Sequence, residues 1–175
     1  DLTGPIVLVD TLDGTYNFER AIPFFAVVVT ILTAKQGKIS AEKVAINFPV
    51  LGEIYYAEQG KGSWFERYSF NFGTGTIRLR VSVNSKLEDS LISCSYQQLQ
   101  LAQKISTNIR IFESYAYQIA LLISGKSEIA LLPNKPITYG LDLLVREAGG
   151  LSCVKDNVFF ASNYQIQEKL QKVLF

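Results

Sequence analysis

The chain has 175 residues, of which 48% are hydrophobic and 19% charged, and its formal net charge is +1. This composition is typical of a globular protein with one sizeable core or two small lobes. The near-neutral charge and the scattered Lys and Arg residues argue against an electrostatic nucleic-acid binder. The sequence contains no His, which excludes Ser-His and Cys-His catalysis within the chain. Its chemistry must therefore depend on carboxylates, hydroxyls, amides and metal ions.

The first half of the chain is predicted to form mainly strands. Short apolar, β-branched runs separated by glycine-containing turns are typical of buried strands, and alternation of apolar and polar residues predicts a half-exposed one. The predicted strands are 5–10, 24–32, 44–47, 54–58, 63–65 and 77–83. A turn is predicted at 36–38 and a loop at 70–76.

The second half alternates strands with helices, which predicts a mixed α/β layer. The predicted strands are 91–96, 109–112, 129–132, 151–154 and 158–161, and the predicted helices are 99–105, 116–123, 141–148 and a final one. Residues 162–165, Ser-Asn-Tyr-Gln, match a capping box for the final helix. Because the character changes near residue 85, we predict an N-terminal α+β lobe over 1–84 and a C-terminal α/β lobe over 85–175.

The most informative motif follows the apolar run 6–9 directly. Asp10 and Asp13 are three residues apart, and Gly14 and Thr15 come next. Carboxylate and carbonyl oxygens are ligands for hard divalent cations, and backbone amides after a glycine can bind an anion. The motif therefore predicts a site that holds a metal ion against a phosphate. The alternative is a simple turn, in which Asp and Gly have only backbone roles.

The two cysteines and the apolar windows bear on location. Cys94 and Cys153 each lie in an apolar stretch, and their spacing does not suit a zinc site. Free thiols in a reducing compartment are favoured over a single disulfide, so we expect a cytoplasmic protein. The most apolar window, 21–34, is too short for a membrane span, and no leader is visible. The chain begins with Asp and lacks Met, so we expect an upstream segment.

Several segments together resemble one known family. Residues 9–18, Val-Asp-Thr-Leu-Asp-Gly-Thr-Tyr-Asn-Phe, resemble the Asp-Pro-Ile/Leu-Asp-Gly-Thr-x-Asn-Phe signature of the inositol monophosphatase family. Residues 22–27, 57–62, 145–150 and 161–163 are similar to further segments of that family, in the same order. The resemblance implies a layered α-β-α-β-α sandwich of the inositol monophosphatase and fructose-1,6-bisphosphatase type, here lacking the N-terminal helical segment. It also implies a homodimer.

The resemblance assigns roles to five residues near the start of the chain. Asp10 and Asp13 would be carboxylate ligands of Mg²⁺, and Leu12 would contribute its backbone carbonyl. The backbone amides of Gly14 and Thr15 would donate hydrogen bonds to the phosphate, and the Thr15 hydroxyl would orient the attacking water. The implied activity is hydrolysis of inositol 1-phosphate, or of a related small phosphorylated polyol or sugar, by a metal-activated water.

The sequence also departs from the family pattern. The acidic residues that the family carries upstream of the Asp pair fall before the start of this chain. A third metal carboxylate normally comes from a Trp-Asp pair, but here Ile137 and Thr138 stand in that place, with Thr138 at the expected carboxylate position. The next carboxylate is Asp142, for which a solvated helix position is favoured over a ligand role. The start of the helix near residue 114 reads Glu-Ser-Tyr-Ala over 113–116 instead of Gly-Ser-Ala, which would narrow the pocket.

These losses leave two interpretations. The first is a magnesium-dependent phosphomonoesterase with impaired activity. The alternative is a catalytically inactive family member that acts as a structural or regulatory binding partner. A haloacid-dehalogenase-like phosphatase is not favoured, because its nucleophilic Asp would have to stand at Thr11.

Overall fold

Two β-sheets with helices between them form the frame of the molecule. The computed structural model describes residues 4–35, 38–68 and 75–174. The predicted turn at 36–38 and the predicted loop at 70–76 fall largely outside these ranges. None of the helices in the described part of the chain combines the length and the apolar composition that a bilayer span requires.

Within the described residues the first sheet contains six strands in chain order, and each strand pairs antiparallel with the next. Its strands are β1 (Pro5–Asp13), β2 (Ala26–Lys35), β3 (Lys38–Phe48), β4 (Glu53–Glu58), β5 (Gly62–Arg67) and β6 (Ile77–Arg78). Exposure alternates along β1, as expected for an antiparallel strand with one face toward the core.

The second sheet has five strands in the order β10-β11-β9-β7-β8. Its strands are β7 (Ile92–Cys94), β8 (Ile109–Ile111), β9 (Ile129–Pro133), β10 (Gly150–Lys155) and β11 (Val158–Asn163). Strand β7 pairs parallel with both β8 and β9, whereas β11 pairs antiparallel with β9 and β10. The sheet is therefore mixed, as the alternating pattern of the second half predicts.

The helices divide into two layers around the second sheet. They are α1 (Thr15–Phe18), α2 (Leu99–Gln103), α3 (Tyr115–Ile123), α4 (Thr138–Glu147) and α5 (Tyr164–Leu174). Helices α3 and α4 pack between the sheets in a core that includes the fully buried Ile46, Leu122 and Leu144. Helices α2 and α5 cover the other face of the second sheet, around Ile92 and Ile166. The layered α+β architecture predicted from the sequence is confirmed.

The structure differs locally from the predicted elements at two places. The strand predicted over 77–83 ends at Arg78, because the chain then leaves the sheet and the Val81 amide donates to the Ala148 carbonyl at the end of α4 (3.1 Å). The predicted capping box is wrong in its cap residue. The Asn163 side chain caps α5 by accepting a hydrogen bond from the Ile166 amide (2.9 Å). The Ser162 hydroxyl instead bonds to the side chain of Gln167, which lies in α5.

The two sheets come from different halves of the chain, which meet near residue 85, but both halves contribute to one core. All strands of the first sheet precede this residue and all strands of the second follow it. Helices α3 and α4 nevertheless come from the second part and pack against β2 and β3 of the first. A division into two lobes at residue 85 stays a prediction.

Candidate metal and phosphate site

A β-bulge near the end of β1 determines where the two aspartates point. Asp10 lies opposite Val28 and Asp13 opposite Ala26, so two residues of β1 face one residue of β2 between these pairs. Side chains three residues apart in a regular strand point to opposite faces, and one extra residue reverses this. The bulge is the reason that Asp10 and Asp13 line the same cleft.

The Asp13 carboxylate is buried and is fixed at the start of α3. Its Oδ2 accepts hydrogen bonds from the Ser114 hydroxyl (2.5 Å) and the Ala116 amide (3.0 Å), and its Oδ1 accepts from the Tyr115 amide (3.1 Å). Burial raises the pKa of Asp13. The three hydrogen bonds lower it by smaller amounts, and the nearby Asp10 charge raises it slightly further. Asp13 thus links β1 to a helix about 100 residues later in the chain.

Asp10 and the backbone at Leu12 present further oxygen atoms to the cleft. Asp10 is half-buried, and its Oδ1 accepts the Leu12 amide (3.2 Å). The Leu12 carbonyl accepts the Thr15 hydroxyl (3.2 Å). Because a carbonyl and a carboxylate oxygen each have two lone pairs, both groups retain acceptor capacity for a ligand.

Gly14 is required by both its backbone conformation and its surroundings. Its φ of +81° is in the left-handed region, and a Cβ there would lie 2.8 Å from the Phe24 carbonyl oxygen and 3.1 Å from the Ser114 Cβ. The following turn is held by Asn17, whose side-chain amide donates to the carbonyls of Phe24 (2.8 Å) and Phe112 (2.5 Å). The loop is therefore packed tightly against the start of α3.

All five residues assigned to metal or phosphate binding line one cleft of about 530 Å³. They are Asp10, Leu12, Asp13, Gly14 and Thr15. The rest of the lining includes residues 113 and 115 before and within α3, and residues 135–137 before α4. The structure therefore brings the five predicted residues together.

Thr138 lies apart from them. Its hydroxyl bonds to the Lys135 carbonyl (2.6 Å) and the Asn134 side chain (3.0 Å), and it lines a neighbouring cleft of about 510 Å³. Ile137, not Thr138, lines the cleft that contains the two aspartates. In this segment the residue that contributes to the aspartate cleft is therefore the apolar Ile137, and the assignment of the carboxylate position to Thr138 stays a prediction.

Asp142 does not replace the missing carboxylate. It lines the neighbouring cleft, where its Oδ2 pairs with Arg146 (2.6 Å) and its Oδ1 accepts the Ser152 hydroxyl. Among the residues that the structure describes, no three acidic or Cys side chains cluster closely enough to hold a metal ion.

Two charged residues of the cleft were not predicted as site residues. Glu113 has a φ of +49°, in the left-handed region, and its carboxylate accepts the Tyr96 amide (2.7 Å). The only sequence signal was the Glu that stands where the resemblance expects Gly. Lys135 is an exposed residue that also lines the cleft, with its Nζ 5.3 Å from the centre of the Tyr115 ring.

Comparison with known proteins identifies the family of the chain. The model of the inositol monophosphatase family matches residues 2–167. The chain belongs to the inositol monophosphatase family. It is 33% identical over 158 residues to an inositol-1-monophosphatase of Mesorhizobium japonicum, covering 82% of this chain and 54% of that protein. It is 28% identical over 153 residues to a fructose-1,6-bisphosphatase/inositol-1-monophosphatase of Thermotoga maritima, with the same two coverages.

A solved structure shows the same family fold. The extragenic suppressor protein suhB of Bartonella henselae superposes with a TM-score of 0.79 at 31% identity, over 97% of this chain and 72% of that chain. The chain spans about half the length of the two curated relatives named above.

Two of the family segments contact each other instead of the cleft. The Glu147 carboxylate of segment 145–150 accepts the amides of Gly60 and Gly62 in segment 57–62, both at 2.7 Å. This contact fixes the β4–β5 hairpin to the end of α4. These family residues therefore stabilise the fold, and they lie outside the lining of the aspartate cleft.

The donor set of the cleft fits one hard divalent cation. The Asp10 carboxylate, the Asp13 carboxylate and the Leu12 carbonyl supply only oxygen atoms, which Mg²⁺ prefers. Burial raises the pKa of Asp13 and repulsion from Asp10 raises it slightly further, and a bound cation would relieve that repulsion. Because Ile137 adds no carboxylate, the described residues offer no comparable donor set for a second ion.

Proposed function

We propose that the protein is a magnesium-dependent phosphomonoester hydrolase of the inositol monophosphatase type, with a reduced rate. Inositol 1-phosphate, or a related sugar or polyol phosphate, is the substrate. The observation that carries the proposal is the convergence of Asp10, Leu12, Asp13, Gly14 and Thr15 on one cleft. The reduced rate follows from the apolar Ile137 in the wall where a further carboxylate is expected.

Asp10, Asp13 and the Leu12 carbonyl would hold Mg²⁺, which when bound activates water and neutralises phosphoryl charge. The amides of Gly14 and Thr15 would bind the phosphate oxygens. The Thr15 hydroxyl donates a hydrogen bond to the Leu12 carbonyl (3.2 Å), so its lone pairs are left to accept a hydrogen bond from the attacking water. In this way Thr15 orients the water and itself needs no ionisation.

Relatives support the substrate class and the cofactor. The Mesorhizobium relative is an inositol-1-monophosphatase. Two other proteins that share the fold were crystallised, one with inositol monophosphate and the other with Mg²⁺ and phosphate. A cytoplasmic location and a homodimer, which the family resemblance implies, belong to the same proposal.

A second candidate function is a binding partner without catalysis. Ile137 in the cleft favours it, because a phosphate can bind to Mg²⁺ and backbone amides without the charge needed to stabilise a leaving oxygen. In this case the protein binds phosphate with Mg²⁺ but releases no product from inositol 1-phosphate.

The test is phosphate release from inositol 1-phosphate as a function of Mg²⁺ concentration, compared between the wild type, Asp10→Asn and Asp142→Asn. We expect slow, Mg²⁺-dependent hydrolysis that Asp10→Asn lowers by about 100-fold, the upper end for changes around a metal site. Asp142→Asn is the matched control, since Asp142 lies in the neighbouring cleft. Equal loss in both variants would contradict the proposed site.

Wild-type protein that binds phosphate with Mg²⁺ but releases none from inositol 1-phosphate would favour the binding partner instead. Calorimetric titration of inorganic phosphate, with and without Mg²⁺, measures that binding separately from catalysis. A protein that neither hydrolyses the substrate nor binds phosphate with Mg²⁺ would contradict both functions.

A further inference from the structure

Lys135 supplies the positive charge of the aspartate cleft. Of the described residues that line this cleft, it is the basic one, and it precedes α4 in the segment that also contains Ile137. Its carbonyl accepts the Thr138 amide (2.9 Å) and the Thr138 hydroxyl (2.6 Å). The turn therefore fixes the backbone at Lys135, although the side chain is exposed.

The ammonium group lies beside Tyr115, whose backbone amide contacts Asp13. Its Nζ lies 5.3 Å from the centre of the Tyr115 ring, and the Tyr115 amide donates to Asp13 Oδ1 (3.1 Å). A cation over an aromatic face at an exposed site is held only weakly. Within the described residues the ion pairs do not include Lys135. Its charge is thus positioned in the cleft and available to an anionic ligand.

The charge balance of the cleft favours a phosphoryl group as that ligand. Glu113 is the other charged group in the part of the lining outside the loop 10–15, and its carboxylate is engaged by the Tyr96 amide (2.7 Å). A phosphomonoester dianion needs more positive charge than one Mg²⁺ provides once Asp10 and Asp13 have offset that ion. Lysine is a compact, mobile point charge, which suits a phosphate.

We propose that Lys135 binds the phosphoryl group of the substrate and supplies part of the positive charge that a second metal ion would otherwise provide. This inference rests on the proposed function, because it places the phosphate at Gly14 and Thr15 in the same cleft. Lys135 is then a residue that determines phosphate affinity in a site with one metal ion.

The test is calorimetric titration of inorganic phosphate into the protein, with Mg²⁺ and separately with EDTA. The variants are Lys135→Ala, Lys135→Arg and Asp10→Asn, and the matched control is Lys104→Ala, an exposed lysine at the end of α2. With Mg²⁺ we expect Lys135→Ala to weaken phosphate binding about tenfold, as for one charge-assisted hydrogen bond. Arg at this position and Ala at Lys104 leave the affinity close to that of the wild type.

The salt dependence gives a readout that a structural role would not change. Added salt weakens phosphate binding by the wild type more than by Lys135→Ala, because the variant lacks the screened charge. Circular dichroism of both alanine variants checks that the fold is retained.

The other outcomes overturn the inference in distinguishable ways. Mg²⁺-dependent phosphate binding that is equal in Lys135→Ala and Lys104→Ala overturns the inference and leaves the proposed function standing. Loss of binding in Lys135→Ala but not in Asp10→Asn means that the phosphate occupies the neighbouring cleft, which Lys135 also lines, and this overturns it too. Absence of phosphate binding by the wild type in both conditions overturns the inference together with the proposed function.

Discussion

Two segments line the aspartate cleft, the loop 10–15 and the loop 134–138, and their side chains differ in chemistry. The loop 10–15 presents two carboxylates and a carbonyl to the cleft, whereas the loop 134–138 presents Lys135 and Ile137. In the second loop the Thr138 hydroxyl is used within the turn itself, on the Lys135 carbonyl (2.6 Å). The cleft is thus lined by oxygen donors from the first loop and by an ammonium group and an apolar side chain from the second.

The two loops also differ in how firmly the fold depends on their polar groups. Asp13 accepts three hydrogen bonds from the start of α3, and its loss would leave buried donors without a partner, at about 1–3 kcal/mol for each such group. Ile137 lines the cleft but is only 6% exposed and belongs to the main core, so a carboxylate there would be largely removed from water unless a cation paired with it. The polar groups of the first loop therefore stabilise the fold in addition to any role in metal binding.

The largest effect is expected for Gly14→Ala in the first loop. The positive φ and the contact of a Cβ with the Phe24 carbonyl together predict a loss of about 3 kcal/mol in the free energy of unfolding. Urea denaturation measures this loss. The matched control is Gly60→Ala, which has a similar φ of +77° but nothing within 4 Å of its Cβ, so it isolates backbone strain at about 1 kcal/mol. Equal losses in the two variants would show that the loop is not tightly packed.

A smaller loss of stability, which depends on Mg²⁺ and phosphate, is expected for Ile137→Asp in the second loop. In EDTA the variant is less stable than the wild type by about 2 kcal/mol, because an unpaired carboxylate is buried. With Mg²⁺ and phosphate it recovers stability, since a ligand that binds only the folded state stabilises it. Thermal unfolding in the two buffers measures both changes.

Thr138→Asp is the control that tests the register of the loop. Thr138 lines the neighbouring cleft, so an Asp there is expected to destabilise the protein without gaining any dependence on Mg²⁺. If Thr138→Asp responds to Mg²⁺ and Ile137→Asp does not, the assignment of Ile137 to the cleft wall is wrong.

The smallest effect is expected for Glu147→Gln, away from both loops. Glu147 accepts the amides of Gly60 and Gly62 at 2.7 Å. Removing its charge weakens these bonds and lowers the free energy of unfolding by about 1 kcal/mol, while phosphate affinity stays unchanged. Urea denaturation and phosphate titration of one preparation measure the two quantities. A clear fall in phosphate affinity would mean that this contact shapes the site.

The sequence predicted most of the frame, because strands and helices follow local apolar patterns. It also predicted the five cleft residues of the first loop through the family motif. It did not reveal why Asp10 and Asp13 share a side, since the bulge between them depends on pairing with a distant part of the chain. The register that places Ile137 in the cleft, and the position of Lys135 near Tyr115, depend on packing between elements in the same way.

The number of Mg²⁺ ions bound per chain tests the difference between the loops most directly. It is measured by titrating Mg²⁺ into the protein in the presence of inorganic phosphate, for the wild type and for Asp10→Asn. We predict one ion per chain in the wild type and none in Asp10→Asn, because the first loop supplies the donors and the second supplies none. Two ions in the wild type, or one ion that persists in Asp10→Asn, would contradict this.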